Sequence, residues 1–206
     1  MFKVFRAVAS VALLIGIYQS ANASILNLPR YPSFQRQHIA FETPTLAPLA
    51  FVKFCMRYPD ECRTPRMMFR GGPVKLTAER FATLMNVNRR VNVAIRPQPN
   101  LRGVAGEEWV INPRNGDCND YAVSKRHQLR ALGWPARALI LSEVVTGWGE
   151  HHLVLVVRTD KGDLVMDSLT GAIRPWSRAQ YQWVRAQLPG NPMAWRTLAS
   201  SRRSNA

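Results

Sequence analysis

Acidic side chains are scarce in this 206-residue chain, where 13 Asp and Glu stand against 28 Lys and Arg for a formal charge of +15. Lysine is scarce as well, at five residues against 23 arginines, so the excess is guanidinium, a planar fork suited to carboxylate or phosphate groups. Beyond residue 23 no apolar run approaches the ~20 residues with which a helix spans a bilayer, so no later spanning helix is expected. There is no internal repeat and no low-complexity tract, and hydrophobic residues make up 47% of the chain, so a solenoid, a fibre or a disordered chain is not expected. Cysteine is limited to three positions and histidine to four, so few arrangements of reactive groups are available.

The first 23 residues account for the one apolar stretch. Lys3 and Arg6 precede a run from Ala7 to Ile17, and Ala21-Asn22-Ala23 follows, which are the charged, apolar and small-residue parts of a secretory signal peptide. A membrane anchor is the other reading, but the 11-residue run is short for one. Cleavage near Ala23 would place the protein in the periplasm or outside the cell with 26 basic against 13 acidic residues. At that charge and location, acidic proteins and anionic membrane surfaces are expected partners and nucleic acid is not.

Cys55 and Cys62 flank a Pro-containing turn, and in an oxidising compartment such a pair is expected to form a disulfide. A zinc site would need two more ligands that the neighbouring sequence does not supply. Cys118 is then left as a free thiol. Gly116-Asp117 precedes it, and positions 118, 122, 125, 129 and 132 form one helical stripe that ends at Gly133 and Pro135. With Asp117 as N-cap, Cys118 falls in the first turn, where free N–H groups and the helix dipole favour a thiolate, although Asp117 and Asp120 partly oppose them. An inert buried cysteine is the alternative.

Residues 24–48 contain four prolines and no period, so they read as an extended lead-in; a domain over residues 49–199 and a polar tail over 200–206 follow. A helix is expected over residues 77–95, with Thr77 as cap and Phe81, Leu84, Met85, Asn88, Val91 and Ile95 on one face. After a loop over 97–116 and the cysteine helix come short β-rich runs at 138–141, 144–145, 153–157 and 164–166, the last two joined by a hairpin around Lys161-Gly162. A second helix is expected around residues 177–187, carrying Tyr181 and Trp183. This order suits an α+β fold with the cysteine helix packed on an antiparallel sheet.

A nucleophilic thiol needs a base, and the base needs an orienting carboxylate. His38 lies in the lead-in and His127 more than two turns along the Cys118 helix. His151 and His152 open a strand and point to opposite faces. The hairpin brings Asp167 within about two residues of lying opposite His152. The candidate set is therefore Cys118, His152 and Asp167.

The segments Gly116-Asp117-Cys118-Asn119-Asp120-Tyr121-Ala122, Gly133-Trp134-Pro135, His152-Leu153-Val154-Leu155 and Asp167-Ser168-Leu169 resemble those of the bacterial transglutaminase-like cysteine proteinases, a family that includes periplasmic proteases that clip large adhesins. The resemblance spans roughly residues 50–198 and implies a papain/transglutaminase-like core with Cys118 as nucleophile, His152 as base and Asp167 as orienting carboxylate. Adhesin-clipping members carry an Asp-Cys-Glu pattern whose carboxylates help hold calcium. This chain has Asp117-Cys118-Asn119, which leaves Asp117, Asn119 and Asp120 as weak calcium candidates, and no cofactor is expected to be required.

The resulting expectation is an exported cysteine peptidase that acts on a secreted or surface protein rich in acidic segments. The triad alone does not separate hydrolysis from transfer of the acyl group to a lysine amine. A non-catalytic cationic module that binds anionic envelope components is a third reading.

Overall fold

A computed structural model describes residues 37–63 and 72–199. The expected signal peptide, most of the expected lead-in and the expected polar tail lie outside these residues. Five helices and nine strands are described in the order β1 (Phe41–Thr45), α1 (Leu49–Arg57), α2 (Pro59–Cys62), α3 (Ala78–Ala94), β2 (Arg96–Pro97), α4 (Gly103–Gly106), β3 (Asn115–Gly116), α5 (Cys118–Ala131), β4 (Leu139–Val145), β5 (His151–Thr159), β6 (Gly162–Met166), β7 (Arg174–Pro175), β8 (Gln182–Leu188) and β9 (Asn191–Leu198). Seven strands form one antiparallel sheet in the order β1-β9-β8-β4-β5-β6-β7, and β2 pairs with β3 in a short parallel ribbon.

The central strands are apolar on both sides because both sides are covered. Leu139 and Leu141 of β4, Leu153, Leu155 and Val157 of β5, and Leu164 and Met166 of β6 pack against the helices. Ile140, Val144, Val154, Val156 and Val165 form a second core with Ile39, Trp176 and Trp183. A strand buried on both faces loses the apolar–polar alternation of a half-exposed one. This architecture is the α+β arrangement expected from the sequence, with α5 on the sheet.

Several elements follow directly from local signals. In α3, the Thr77 hydroxyl accepts the Arg80 N–H at 3.3 Å, and Phe81, Leu84, Asn88 and Val91 are buried as expected, whereas Met85 is partly exposed and Val87 is buried. In α5, Asp117 Oδ1 accepts the Asn119 N–H at 3.0 Å and Asp120 Oδ2 accepts the Asp117 N–H at 3.1 Å, a reciprocal cap. Gly116 is required before this cap, because a Cβ there would run into the Asp120 carboxylate. Gly133, at φ +80°, ends the helix.

The helix expected around residues 177–187 is not formed. A 3-10 turn at Trp176–Arg178 leads into β8, which lies between β4 and β9. Val144 pairs with Trp183 and Glu143 with Arg185, so Val184 is an extra residue in a bulge. The bulge puts Trp183 and Ala186, three residues apart, into the same core, which imitates helical spacing. Within the lead-in, Phe41–Thr45 adds the edge strand β1 beside β9. Leu132, expected on the buried stripe of α5, is exposed.

The Cys55–Cys62 disulfide joins α1 to α2 and holds Glu61 against α5. Glu61 is buried, and its carboxylate meets Arg126 Nη1 at 2.6 Å, Arg130 Nη1 at 2.9 Å and His127 Nδ1 at 2.9 Å. Burial opposes its ionisation, but the hydrogen bonds from His127 and Arg130 and the charge of Arg126 outweigh burial and hold the carboxyl below its ordinary range. Arg126 is only 1% exposed, so loss of the negative charge would strand a buried cation. Glu61→Gln is expected to cost about 3 kcal/mol in a denaturant titration. A loss below about 1 kcal/mol would show that the cluster is solvated and does not anchor α5.

Candidate active site

The register of β5 and β6 creates the central contact. Leu155 pairs with Met166, so Asp167 continues the ladder beside Val154, two residues from His152 and on the same face. His152 is 4% exposed and Asp167 2%. His152 Nε2 lies 2.8 Å from Asp167 Oδ1, which also accepts the Leu169 N–H at 3.0 Å. The Tyr181 hydroxyl donates to Asp167 Oδ2 in a short hydrogen bond, and its ring centroid lies 5.9 Å from that of His152. Asn92 of α3 donates its Nδ2–H to the Asp167 carbonyl at 2.9 Å and fixes the backbone from the helical side.

These contacts set protonation states. Burial works against the Asp167 anion, yet hydrogen bonds from His152, Tyr181 and the Leu169 N–H more than compensate, and the carboxyl is held below its ordinary value. Tyr181 moves the other way: burial and its hydrogen bond to Asp167 push the phenol well above its usual range, so it remains a neutral donor. An ionised Asp167 only accepts hydrogen bonds, so His152 Nε2 carries a proton and Nδ1 is the nitrogen left for another partner.

Cys118 is the first residue of α5 and is partly buried against the helical core. The Leu153 backbone N–H acts on its sulfur, which places the thiol beside the peptide that follows His152. The thiolate expected from the helix N-terminus is not favoured. Burial pushes the thiol up to about 12; the Leu153 N–H pulls it down, but the charges of Asp117, Glu107 and Glu150 add to the rise. The other histidines are engaged elsewhere: His38 Nδ1 with Asp163 at 3.0 Å, His127 with Glu61, and the exposed His151 Nδ1 with Glu143 at 2.9 Å. Tyr181 and Asn92 carried no recognisable sequence signal, the first because the bulge in β8 disguised its neighbourhood.

The calcium candidates are partly engaged by hydrogen bonds within the protein. Asp120 Oδ1 accepts the Val110 N–H at 2.7 Å and Oδ2 the Asp117 N–H, while Asp117 Oδ1 caps Asn119. Asn119 turns its Nδ2–H to Glu107 Oε1, which also accepts Trp109 Nε1 at 3.0 Å. Burial and the charges of Asp117 and Glu107 push Asp120 up to about 6, despite hydrogen bonds from the Val110 and Asp117 N–H groups. Among the described residues no group of three His, Cys, Asp or Glu side chains converges on a metal position. Among the described residues these hydrogen bonds engage Asp117 Oδ1, both Asp120 oxygens and Asn119 Nδ2.

Lys125 lies two turns along α5 from Cys118 and is 1% exposed. Its Nζ stands 5.8 Å from the centre of the Tyr121 ring. Burial pushes the ammonium down to about 7, with the Asp167 charge acting in the opposite direction.

A family model described as bacterial transglutaminase-like cysteine proteinase, BTLCP, matches residues 41–203. Solved structures of LapG from Legionella pneumophila are similar. The calcium-bound form is 24% identical at a TM-score of 0.47, over 52% of this chain and 64% of that one. A second LapG structure is 23% identical at 0.47, over 60% and 71%, and an EGTA-treated form 22% identical at 0.47, over 60% and 73%. No curated protein matches the chain.

The unfolded chain holds the Lys125 proton up to about 10.5 and the folded chain only to about 7. Between these values the unfolded state binds more protons, so the penalty of folding grows as pH falls and is complete below about 7. Lys125→Met, similar in volume, is expected to raise Tm, and to raise it more at pH 6 than at pH 9. A lower Tm at pH 6, read by differential scanning fluorimetry, would mean that the ammonium stabilises the fold.

Proposed function

Because this chain belongs to the bacterial transglutaminase-like cysteine proteinases, we propose that it hydrolyses peptide bonds by a triad of Cys118, His152 and Asp167. The observation that carries this reading is the 2.8 Å contact between His152 Nε2 and an ionised, buried Asp167, with Cys118 beside the peptide that follows His152.

In the first half-reaction the Cys118 S–H proton passes to His152 Nδ1 as sulfur attacks the substrate carbonyl. The high affinity of this thiol for its proton makes the transfer part of the attack rather than a prior ionisation. The Cys118 backbone N–H, free of an intrahelical acceptor in the first turn, is the oxyanion donor this reading assigns. The imidazolium returns the proton to the departing amine, the C–N bond breaks and a thioester remains. Water then attacks the thioester, giving a proton to His152 Nδ1, and the acid leaves as the thiol is restored. Asp167 holds Nε2–H throughout and Tyr181 holds Asp167, so the imidazole keeps one tautomer.

The substrate class we assign is a secreted or surface protein with acidic segments, met after export. An excess of 26 basic over 13 acidic residues after cleavage concentrates acidic polypeptides near the molecule and also permits peripheral contact with an anionic membrane surface. An oxidising compartment suits the Cys55–Cys62 bond.

Cys118→Ala and His152→Ala are each expected to lower kcat/KM on a quenched-fluorescent peptide library by about 1,000-fold or more with unchanged circular dichroism. His151→Ala, on the opposite face, is expected to stay within about twofold of wild type. Near-normal turnover in His152→Ala would assign the base elsewhere. Incorporation of a lysine analogue without hydrolysis would make the protein an acyl transferase.

A further inference from the structure

Twelve large apolar side chains are exposed among the described residues, and six of them belong to two neighbouring segments. Leu49, Val52 and Met56 form a stripe along α1, on the side opposite its buried Ala50, Phe51 and Phe54. Leu46 stands in the turn before that helix, Leu101 just before α4 and Val104 within it. Exposure in this set runs from 38% for Val52 to 93% for Leu101. The two segments touch: Lys53 Nζ donates to the Ala105 carbonyl at 2.5 Å, and Arg57 lies 3.7 Å from Glu108. Single exposed apolar residues are ordinary, whereas a group of six on adjoining elements marks a surface that meets something else.

The charge left over at this patch has one sign. Residues 80–106 contain five arginines and no acidic residue. The acids nearby are spoken for: Glu108 faces Arg57, Asp60 meets Arg63 at 2.9 Å, and Glu107 turns to Trp109 and Asn119. Among the described residues Lys53 and Arg102 form no ion pair. A Cβ on Gly106 would run into the Arg102 stem, so that arginine lies against the turn that carries Val104. Side chains as exposed as Leu101 and Val104 stand out from the surface and do not line a groove. Protruding apolar tips with cations at their bases match a bilayer surface, where the tips enter the acyl boundary and the cations stay at headgroup depth.

We propose that the α1–α4 patch docks the protein on an anionic lipid bilayer, with its apolar side chains at the acyl boundary and Lys53 and Arg102 against the headgroups. The inference does not depend on the reaction at Cys118. It replaces a diffuse attraction from net charge by a defined face, which the Cys55–Cys62 bond helps to hold through its tie between α1 and α2. A few apolar tips bind a membrane weakly, and so do two cations, but both act here on one surface and their effects multiply. A cation close to an anionic leaflet raises partition about fivefold, and one far from the contact, beyond a Debye length, adds little. Binding should therefore depend on which arginine is removed.

The test sediments the exported protein, its N-terminus read by mass spectrometry, with sucrose-loaded vesicles of phosphatidylcholine alone or with about 30% phosphatidylglycerol, in about 0.1 M salt. Wild type is expected to partition onto the anionic vesicles about tenfold more strongly than onto the neutral ones. The double variant Met56→Ser, Val104→Ser and the single variant Arg102→Gln should each lower that partition about fivefold, with unchanged circular dichroism. Arg174→Gln removes the same charge from β7, at an edge of the sheet, and should stay within about twofold of wild type. Equal losses in Arg102→Gln and Arg174→Gln would reduce the binding to net charge and overturn the patch, as would full binding by the double serine variant. No preference for anionic vesicles would overturn the bilayer as the partner. Patch-dependent capture of soluble polyglutamate without vesicle binding would overturn it too and assign the surface to an acidic protein.

Discussion

The buried Asp167 carboxylate is the constraint on which the site depends. An anion inside a protein persists only if its oxygens are satisfied, and Asp167 draws its donors from three places: His152 of β5, the Leu169 N–H after β6, and Tyr181 just before β8. Each donor must be delivered by its own segment in register. The carboxylate therefore ties the sheet's geometry to the orientation of one imidazole, and the Asn92 contact to the Asp167 carbonyl extends that tie to α3. Cys118 is held beside the Leu153 N–H through the reciprocal cap that starts α5 and the Glu61 cluster that holds its far half.

The two halves are electrically different, and the difference has chemical content. On the imidazole side every donor favours the ionised Asp167. On the sulfur side, Asp117, Glu107 and Glu150 oppose a thiolate in a partly buried setting. A cysteine kept as a thiol resists oxidation, and under the proposed reaction it becomes reactive when substrate aligns the proton transfer with attack. The hydrogen bonds around Asp120 and Asn119 give the start of α5 an order of its own.

Cys118, His152 and Asp167 were legible because each stands at a local signal: a helix cap, a strand start and the end of a hairpin. Two-residue periodicity separated His152 from His151, and the hairpin register placed Asp167 near His152. Tyr181 and β8 were not legible, since one bulged residue, Val184, gives Trp183 and Ala186 a helical spacing. The state of the thiol was not legible either. The helix terminus could be read from the cap, but the nearby charges of Glu107 and Glu150 come from loops distant in sequence. Likewise the stem of Lys125 could be read onto the helical stripe of α5, and only the packing of α5 on the sheet shows that its ammonium is buried as well.

The central claim is that Asp167 holds the proton of His152 on Nε2 and thereby leaves Nδ1 bare to receive the proton of Cys118. It is tested most directly by ¹⁵N NMR of histidine-labelled protein, with His152 assigned by comparison with His152→Gln. The expected resting spectrum at neutral pH shows a protonated Nε2 and an unprotonated Nδ1, with the Nε2–H proton shifted downfield by its carboxylate partner. A proton on Nδ1 in the resting protein, with Nε2 bare or also protonated, would contradict it.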